Sequence, residues 1–409
     1  MLAFRFNYRF QIILAVIFGV FAGLLLQDKA ILFDPIGELF IRLLQMVIVP
    51  LVFTSLVLGI VNLGSFQNLG RIGTKTFLLF LFSIFMAALI GLGTVLFLSP
   101  GLVSELDVQR LSVDHSSASQ AGLSVSGLIK EIVPSNIVQA FSSDKILSVI
   151  FFSILFGFGL LSLGKKADPI LSLFEVLNQA IIKITGWVIL LAPLGTFALM
   201  SSMIGKLGIV AFKSLAYYSF TVILGLGIHV GLVISILLIF IGKYSPFKFY
   251  QVLFPAITTA FTTNSSIVSL PIAMECLEKM GVSKKISSLV TPLGVTLNKN
   301  GTAVFEVVSA IFIAQVYGIE LSVFQLLIIT FTATLASIGS AGIPSAGLVS
   351  LVFVLRSVNL PLEGVGLILV VDKLLDMFRT TVNVLGYSMV TLLIAKQENE
   401  IMPLSDSSL

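Results

Sequence analysis

An all-α polytopic membrane protein is the fold class the sequence predicts, and three observations predict it. Of the 409 residues 57% are hydrophobic and only 11% are charged, a balance shifted far toward the apolar side of soluble domains. Apolar windows longer than about 18 residues recur from end to end, each long enough to cross a bilayer as a helix. One such window near the C-terminus nevertheless holds Asp372, Asp376, Arg379 and Asn383. At 100° per residue these four fall within an arc of roughly 60° on one helix face. A charge at membrane depth costs at least a few kcal/mol even on lenient scales, so retaining several marks a substrate or ion pathway.

Taken in order, the N-terminal residues lead into an apolar stretch at 10–26 without a small-residue cleavage site, which reads as a first spanning helix. Apolar helices follow at 36–63, 75–98, 133–164, 172–204 and 209–242, and the Ser- and Gly-rich segment 99–128 reads as an external loop. Beyond 245 the apolar stretches are broken at their centres. Thr262-Thr263-Asn264-Ser265-Ser266 precedes Leu270-Pro271; Asn298-Lys299-Asn300-Gly301-Thr302 interrupts 285–316; Ser337 to Ser345 interrupts 323–358; the charged face at 372–383 interrupts 361–396. Irregular backbone is tolerated in a bilayer only where protein or a water-filled cavity buries it, so the four breaks should meet at one cavity. The Ser265-Ser266 break and the Ser337–Ser345 break each sit mid-segment and each is followed by a helix with its own polar cluster. Hairpin then helix, twice, is the pattern of inverted transporter repeats, whose half-helix N-termini face anionic groups.

Composition excludes other classes. The lone cysteine, Cys276, permits no internal disulfide, and His115 and His229 form no metal-binding cluster, so no cofactor is expected. No G-x-x-x-x-G-K-[ST] loop and no nucleophile and base arrangement occurs, which argues against an ATPase or any enzyme. A net charge of +4 calls for no nucleic acid. If the helices alternate from an internal N-terminus, Arg5, Arg9, Arg71, Lys75, Lys165, Lys166, Lys243, Lys248, Lys279, Lys284, Lys285 and Lys396 share one side, against Lys29, Arg110, Lys206 and Arg356. The excess places both termini in the cytoplasm of a cell-membrane protein.

With these residues assembled, the chain resembles the dicarboxylate/amino acid:cation symporters, the glutamate transporter family, along nearly its whole length. Pro35-Ile36-Gly37-Glu38 through Arg42 to Pro50 is similar to the early signature of that family. Asn298-x-x-Gly301-Thr302, Ser337-Ile338-Gly339-x-Ala341-Gly342-x-Pro344 and Asp372-x-x-x-Asp376-Met377-x-Arg379-Thr380-x-x-Asn383-Val384-x-Gly386 are similar to the three later ones. The resemblance implies a homotrimer of eight spanning helices with two re-entrant hairpins, at 247–283 and 319–358. It also implies an elevator: a transport domain of helices 3 (75–98), 6 (205–246), 7 (284–318) and 8 (359–396) plus the hairpins moves against a scaffold from 1–74 and 129–204.

The residue chemistry points to the same substrate class. Arg379 offers a planar fork suited to a carboxylate, and Asp376 on the same face suits an ammonium. A ligand with both groups is an amino acid. With Ser265, Ser266, Thr302, Gly342, Thr380 and Asn383 around it, Asn383, Ser266 and nearby hairpin amides take the α-carboxylate and Arg379 a side-chain carboxylate, so glutamate or aspartate follows. In the resemblance, relatives carrying C4-dicarboxylates lack an acid at the position of Asp376, and those carrying neutral amino acids lack the arginine. The competing reading is that Asp376 and Arg379 only neutralise one another across a helical turn.

Coupling is where the chain departs from the family pattern. Sodium-driven relatives read Asn-Met-Asp-Gly-Thr in helix 7, and their Asp holds sodium with Tyr, Thr and Ser from helix 3. Here the Asp is Asn300, and the helix 3 positions fall on Phe80, Ser83 and Ile84. A second sodium site loses its Asp to Tyr387, while a residual site near Thr296 and Ser337 shows no such loss. Lys299 replaces the motif's Met, reading either as a tethered cation in place of sodium or as a lysine snorkelling to water. Glu306 matches a glutamate of proton-coupled relatives and reads as the proton carrier, or as a partner of Lys299 or Arg379. Asp372 joins Asn300, Lys299 and Glu306 in the coupling set. The expectation is a proton-coupled importer of acidic amino acids with degraded sodium sites; a sodium-coupled symporter, an exchanger of a dicarboxylate or cystine, and a receptor-like protein are the alternatives.

Overall fold

The computed structural model describes residues 8–68, 71–102, 133–143, 146–207, 210–339 and 346–401. Among them every regular element is helical, apart from one antiparallel bridge between Val282 and Ile401. The helices are α1 (Tyr8–Leu26), α2 (Asp34–Asn68), α3 (Arg71–Leu98), α4 (Ile137–Ser142), α5 (Ile146–Leu163), α6 (Asp168–Leu190), α7 (Ala192–Leu207) and α8 (Val210–Ile228). After them come α9 (Pro246–Thr263), α10 (Ser266–Lys279), α11 (Lys284–Leu297), α12 (Asn300–Val316), α13 (Val323–Gly339), α14 (Ala346–Ser357) and α15 (Val365–Gln397). Among the described residues five stretches are long and apolar enough to cross a membrane: Lys29–Leu58, Arg71–Leu98, Ser148–Leu190, Lys213–Gly242 and Val371–Gln397. Large apolar side chains such as Phe18, Phe21, Trp187, Phe240 and Phe254 are exposed on the outer helices, as a hydrocarbon solvent allows.

Local chemistry sets the boundaries. The stretch expected as one helix at 172–204 divides at Leu191, just before Pro193, which has no N–H to donate to the preceding turn. α8 runs on to Gly242 through two π-helical turns, His229–Ile234 and Leu238–Gly242. α9 starts on Pro246 at its first turn and ends on Asn264 in the left-handed region at φ 54°, ψ 39°. α10 is capped at once by Ser265, whose hydroxyl accepts from the Val268 N–H. Asn298 and Lys299 take non-helical torsions, separating α11 from α12.

One expected break is absent. The charged face at 372–383 lies on the unbroken 33-residue α15, about 50 Å long. No Gly or Pro occurs between Gly366 and Gly386, and the charges neutralise one another sideways, so nothing forces the backbone open.

α12 is apolar nearly all round and buried at every residue but Gln315, the condition of a helix at the centre of a protein. It packs against α3, α8, α13, α14 and α15. α15 also contacts α9, α10 and α11, so the helix pairs α9/α10 and α13/α14 close on the same centre. Away from it, α1 packs on α7, and α2 runs between α5, α6 and α7, with Val57, Leu160, Ala167 and Phe174 in a separate small core.

The chain end beyond α15 ties three elements together. Glu398 accepts from Lys75 Nζ at 2.6 Å and Arg71 Nη2 at 2.8 Å, Glu400 accepts from Lys285 Nζ at 2.8 Å, and the Ser283 N–H donates to the Glu400 carbonyl. The hydrogen bonds from Lys75, then Arg71, hold the Glu398 carboxyl below its usual range, and that from Lys285 does the same for Glu400. A depressed folded-state pKa contributes stability above the unfolded pKa, and that stability is lost as pH falls through the folded value. Thermal unfolding in detergent is therefore expected to show a midpoint that declines as pH drops from 6 toward 3, with part of the decline missing in Glu398→Gln.

Candidate functional site

The polar face of α15 is the base of the site. Arg379 Nη2 donates to Asp372 Oδ1 at 2.7 Å and to Asp376 Oδ1 at 2.9 Å. Asp372 lies seven residues before Arg379 and Asp376 three before it, two spacings that put both acids on its face. The guanidinium is 1% exposed and lies 3.8 Å from the centre of the Phe305 ring on α12. A desolvated cation over an aromatic face is worth about 2 kcal/mol. Among the described residues its Nε and Nη1 are buried without a hydrogen-bond partner, so the fork is half used. The two acids differ: the Asp372 side chain is 8% exposed and the Asp376 side chain 26%. Asp372 is thus the buried counter-ion, and Asp376 is the carboxylate a ligand can reach.

The other elements close on this face from three sides. From the α9/α10 junction, Asn264 Nδ2 donates to Asp376 Oδ2, and Asn264 Oδ1 accepts from Thr380 Oγ1 at 2.8 Å. From the α11/α12 break, the Gly301 N–H donates to Asn383 Oδ1 at 2.8 Å, and Asn298 Nδ2 donates to the Asn383 carbonyl at 3.3 Å. From α14, Gly347 lies so close to Arg379 Nη1 that a methyl group there would overlap it. Gly301 is likewise pressed against the Arg379 backbone, and its added methyl would collide with the Arg379 carbonyl oxygen and Cα. Backbone atoms cannot retreat as a side-chain tip can. Gly301→Ala is expected to cost about 1–3 kcal/mol by overpacking, read as a lowered unfolding midpoint and a displaced guanidinium.

The residues anticipated for substrate are distributed unevenly. Asp376, Arg379, Thr380 and Asn383 share the α15 face, and Thr302 begins α12 beside it, 7% exposed. Ser266 is buried at the start of α10, whereas the Ser265 hydroxyl is occupied as the α10 cap. Among the described residues the hydroxyls of Ser266 and Thr302 and the Asn383 Nδ2 have no partner. Gly342 lies outside the described residues. Asn264, legible in the sequence only as part of the polar break at 262–266, bridges two of the site's side chains. Its signal was an Asn at a helix end, the residue most tolerant of a left-handed torsion after glycine.

The coupling residues occupy two depths. Asn300 Nδ2 donates to Ser83 Oγ at 2.9 Å, an amide hydrogen bond where a cation would need oxygen ligands. A methyl group at Gly294 would run into Tyr387 and the tip of the Phe80 ring, and among the described residues the buried Tyr387 hydroxyl has no partner. Asn298 and Asn300 both abut Gly386, each with an unpaired Oδ1. Lys299 is half-buried and makes no ion pair among the described residues, with Asp376 the charge within its reach. Glu306 is fully buried on α12. Neither of its carboxyl oxygens has a hydrogen bond of normal geometry, it forms no ion pair with Lys299 or Arg379, and Ser350 and Arg379 are its polar neighbours. Thr296 is exposed and Ser337 buried, its hydroxyl donating to the Ala333 carbonyl at 2.6 Å.

Comparison with known proteins adds to this geometry. A family model, "Sodium:dicarboxylate symporter family", matches residues 9–397. A Bacillus subtilis protein named C4-dicarboxylate transport protein is 35% identical over 96% of this chain and 94% of its own length. A Bacillus subtilis proton/glutamate-aspartate symporter is 34% identical over 95% of this chain and 94% of its own. The proton/glutamate-aspartate symporter of Escherichia coli (strain K12) is 33% identical over 97% of this chain and 94% of its own.

Proposed function

The chain belongs to the sodium:dicarboxylate symporter family, and from that premise we propose that it is a secondary active symporter importing glutamate or aspartate, driven by protons, with its sodium sites degraded. One observation carries the substrate: a buried arginine with two unused donors shares a helix face with a partly exposed acid. The guanidinium suits a second carboxylate and the acid suits an ammonium. Three observations support proton coupling. Glu306 is a fully buried carboxyl without an ion pair among the described residues, with Ser350 and Arg379 as polar neighbours, Asn300 spends its amide on Ser83, and Phe80 and Tyr387 fill the space beside Gly294. Lys299, without an ion pair among the described residues, acts as a tethered cation at the same break. Asp372 holds Arg379 in register while protons and substrate exchange.

The proposal extends to the architecture: eight spanning helices and two re-entrant hairpins, α9/α10 and α13/α14, in a homotrimer with both termini in the cytoplasm. The packing supports an elevator, since α3, α8, α13 and α14 gather around α12 and α9 to α11 on α15, while α1 packs on α7 and α2 on α5, α6 and α7, the second group meeting the first where α2 touches α3, α13 and α14 and α7 touches α15. Relatives named as C4-dicarboxylate carriers favour a second reading, a dicarboxylate substrate held by Arg379 alone. Uptake of labelled aspartate into proteoliposomes decides. The proposal expects accumulation driven by an inward proton gradient in sodium-free buffer, with weak competition from succinate. Strict sodium dependence would overturn the coupling, and succinate outcompeting aspartate would overturn the substrate.

A further inference from the structure

We propose that Asn264 is the positioning residue that sets the preference of this site for a zwitterionic amino acid over a dicarboxylate lacking the amino group. The inference rests on the reading of Asp376 and Arg379 given under Proposed function, and it assigns the choice to a residue on another element.

Asn264 answers two separate demands. Its backbone closes α9 in the left-handed region, with its N–H donating to the Ala260 carbonyl at 2.9 Å. Glycine would meet that demand as well, so the torsion alone does not explain the side chain. The amide does something glycine cannot: Nδ2 donates to Asp376 Oδ2, while Oδ1 accepts from Thr380 Oγ1. The two bonds run in opposite directions and leave the amide one orientation, with nitrogen toward the acid. The Asp376 carboxylate is then held at both oxygens, Oδ1 by Arg379 and Oδ2 by Asn264.

Charge makes the neutrality of the amide decisive. Arg379 faces two acids, and the buried Asp372 already offsets it. Lys373 Nζ stands 3.9 Å from Asp376 and is 32% exposed, too far and too wet to cancel the second acid, and Lys299 at the α11/α12 break feels Asp376 but forms no ion pair with it among the described residues. Asp376 therefore keeps a negative charge for an ammonium to meet. A basic residue at 264 would cancel that charge and favour a dianion, and an acidic one would repel it. A neutral donor orients the acid without discharging it. Asn264 is partly exposed, at the junction of α9 and α10, so a ligand approaching Asp376 passes beside it.

The test is calorimetric binding of L-aspartate and of succinate to the purified full-length protein, with Asn264→Gly and Asn264→Asp beside wild type and unfolding midpoints as the check on folding. Asn264→Gly keeps the torsion and removes the amide. Its aspartate affinity is expected to fall about 10- to 100-fold, the span of one hydrogen bond to a charged group, while succinate binding stays within about twofold of wild type. Asn264→Asp keeps the shape and, once protonated, can donate to Asp376. Aspartate binding to it is expected to be weak near pH 7.5 and to recover as pH is lowered, a pH profile that a purely structural role would not produce. An aspartate-to-succinate preference unchanged in Asn264→Gly overturns the inference, as does equal loss of both ligands in both variants. Wild-type protein that binds no acidic amino acid overturns the underlying functional reading instead, and this inference with it.

Discussion

Arg379→Ala is expected to abolish binding of acidic amino acids and to leave a folded protein of lowered stability. Among the described residues the guanidinium is the one cation in contact with both acids of the α15 face, so two effects are superimposed. Losing the partner of a buried, hydrogen-bonded charge costs about 2–5 kcal/mol of binding, or roughly 30- to several-thousand-fold in affinity. Leaving Asp372 buried without a cation costs a further 3–5 kcal/mol of stability, on the order of other broken buried pairs. The two separate by experiment. Asp372→Asn in the Arg379→Ala background removes the uncompensated acid and should restore most of the unfolding midpoint, but not the binding of glutamate or aspartate. Neutral amino acids should bind the double variant at least as well as acidic ones, because Asp376 still serves their ammonium. Acidic substrates bound as tightly as by wild type would show that the guanidinium reads nothing.

Glu306→Gln is the second large expectation. The side chain is near-isosteric and fully buried on α12, and no ion pair depends on its charge, so folding should be little changed. If this carboxyl carries the coupled proton, the variant retains exchange of labelled for unlabelled substrate but loses accumulation driven by pH. One pH unit is worth about 1.4 kcal/mol, so each coupled proton can sustain about a tenfold concentration ratio per unit of gradient. The variant should sustain none. Counterflow lost together with net uptake would mean that Glu306 serves binding or packing, and accumulation like that of wild type would exclude it as the carrier.

Much of this protein was legible in the chain because hydrocarbon is an unforgiving solvent. Apart from 133–164, which holds two helices, Ile137–Ser142 and Ile146–Leu163, and 172–204, apolar windows gave the helices to within several residues, and the breaks at 262–266 and 298–302 were visible as polar clusters that a lipid-facing span cannot carry. Membership of a symporter family followed from the motifs at 298–302, 337–344 and 372–386 and agrees with the family match over 9–397. The interruption expected at 372–383 was misread, since sequence shows that charges are present but not that they pair with one another on an intact helix. Likewise Leu191 and Pro193 divide a span that hydropathy alone runs together.

The sequence by itself determined that charges would be kept at membrane depth and that three of them, at 372, 376 and 379, would share one face with the amide at 383, because helical periodicity fixes that without any other element. Only the tertiary structure decided which acid is the buried counter-ion and which is open to a ligand, that Asn264 arrives from more than a hundred residues away to hold Asp376, and that Gly301 and Gly347 press on Arg379. Those facts depend on how close separate helices approach, and close approach is set by packing across the whole core rather than by any local pattern.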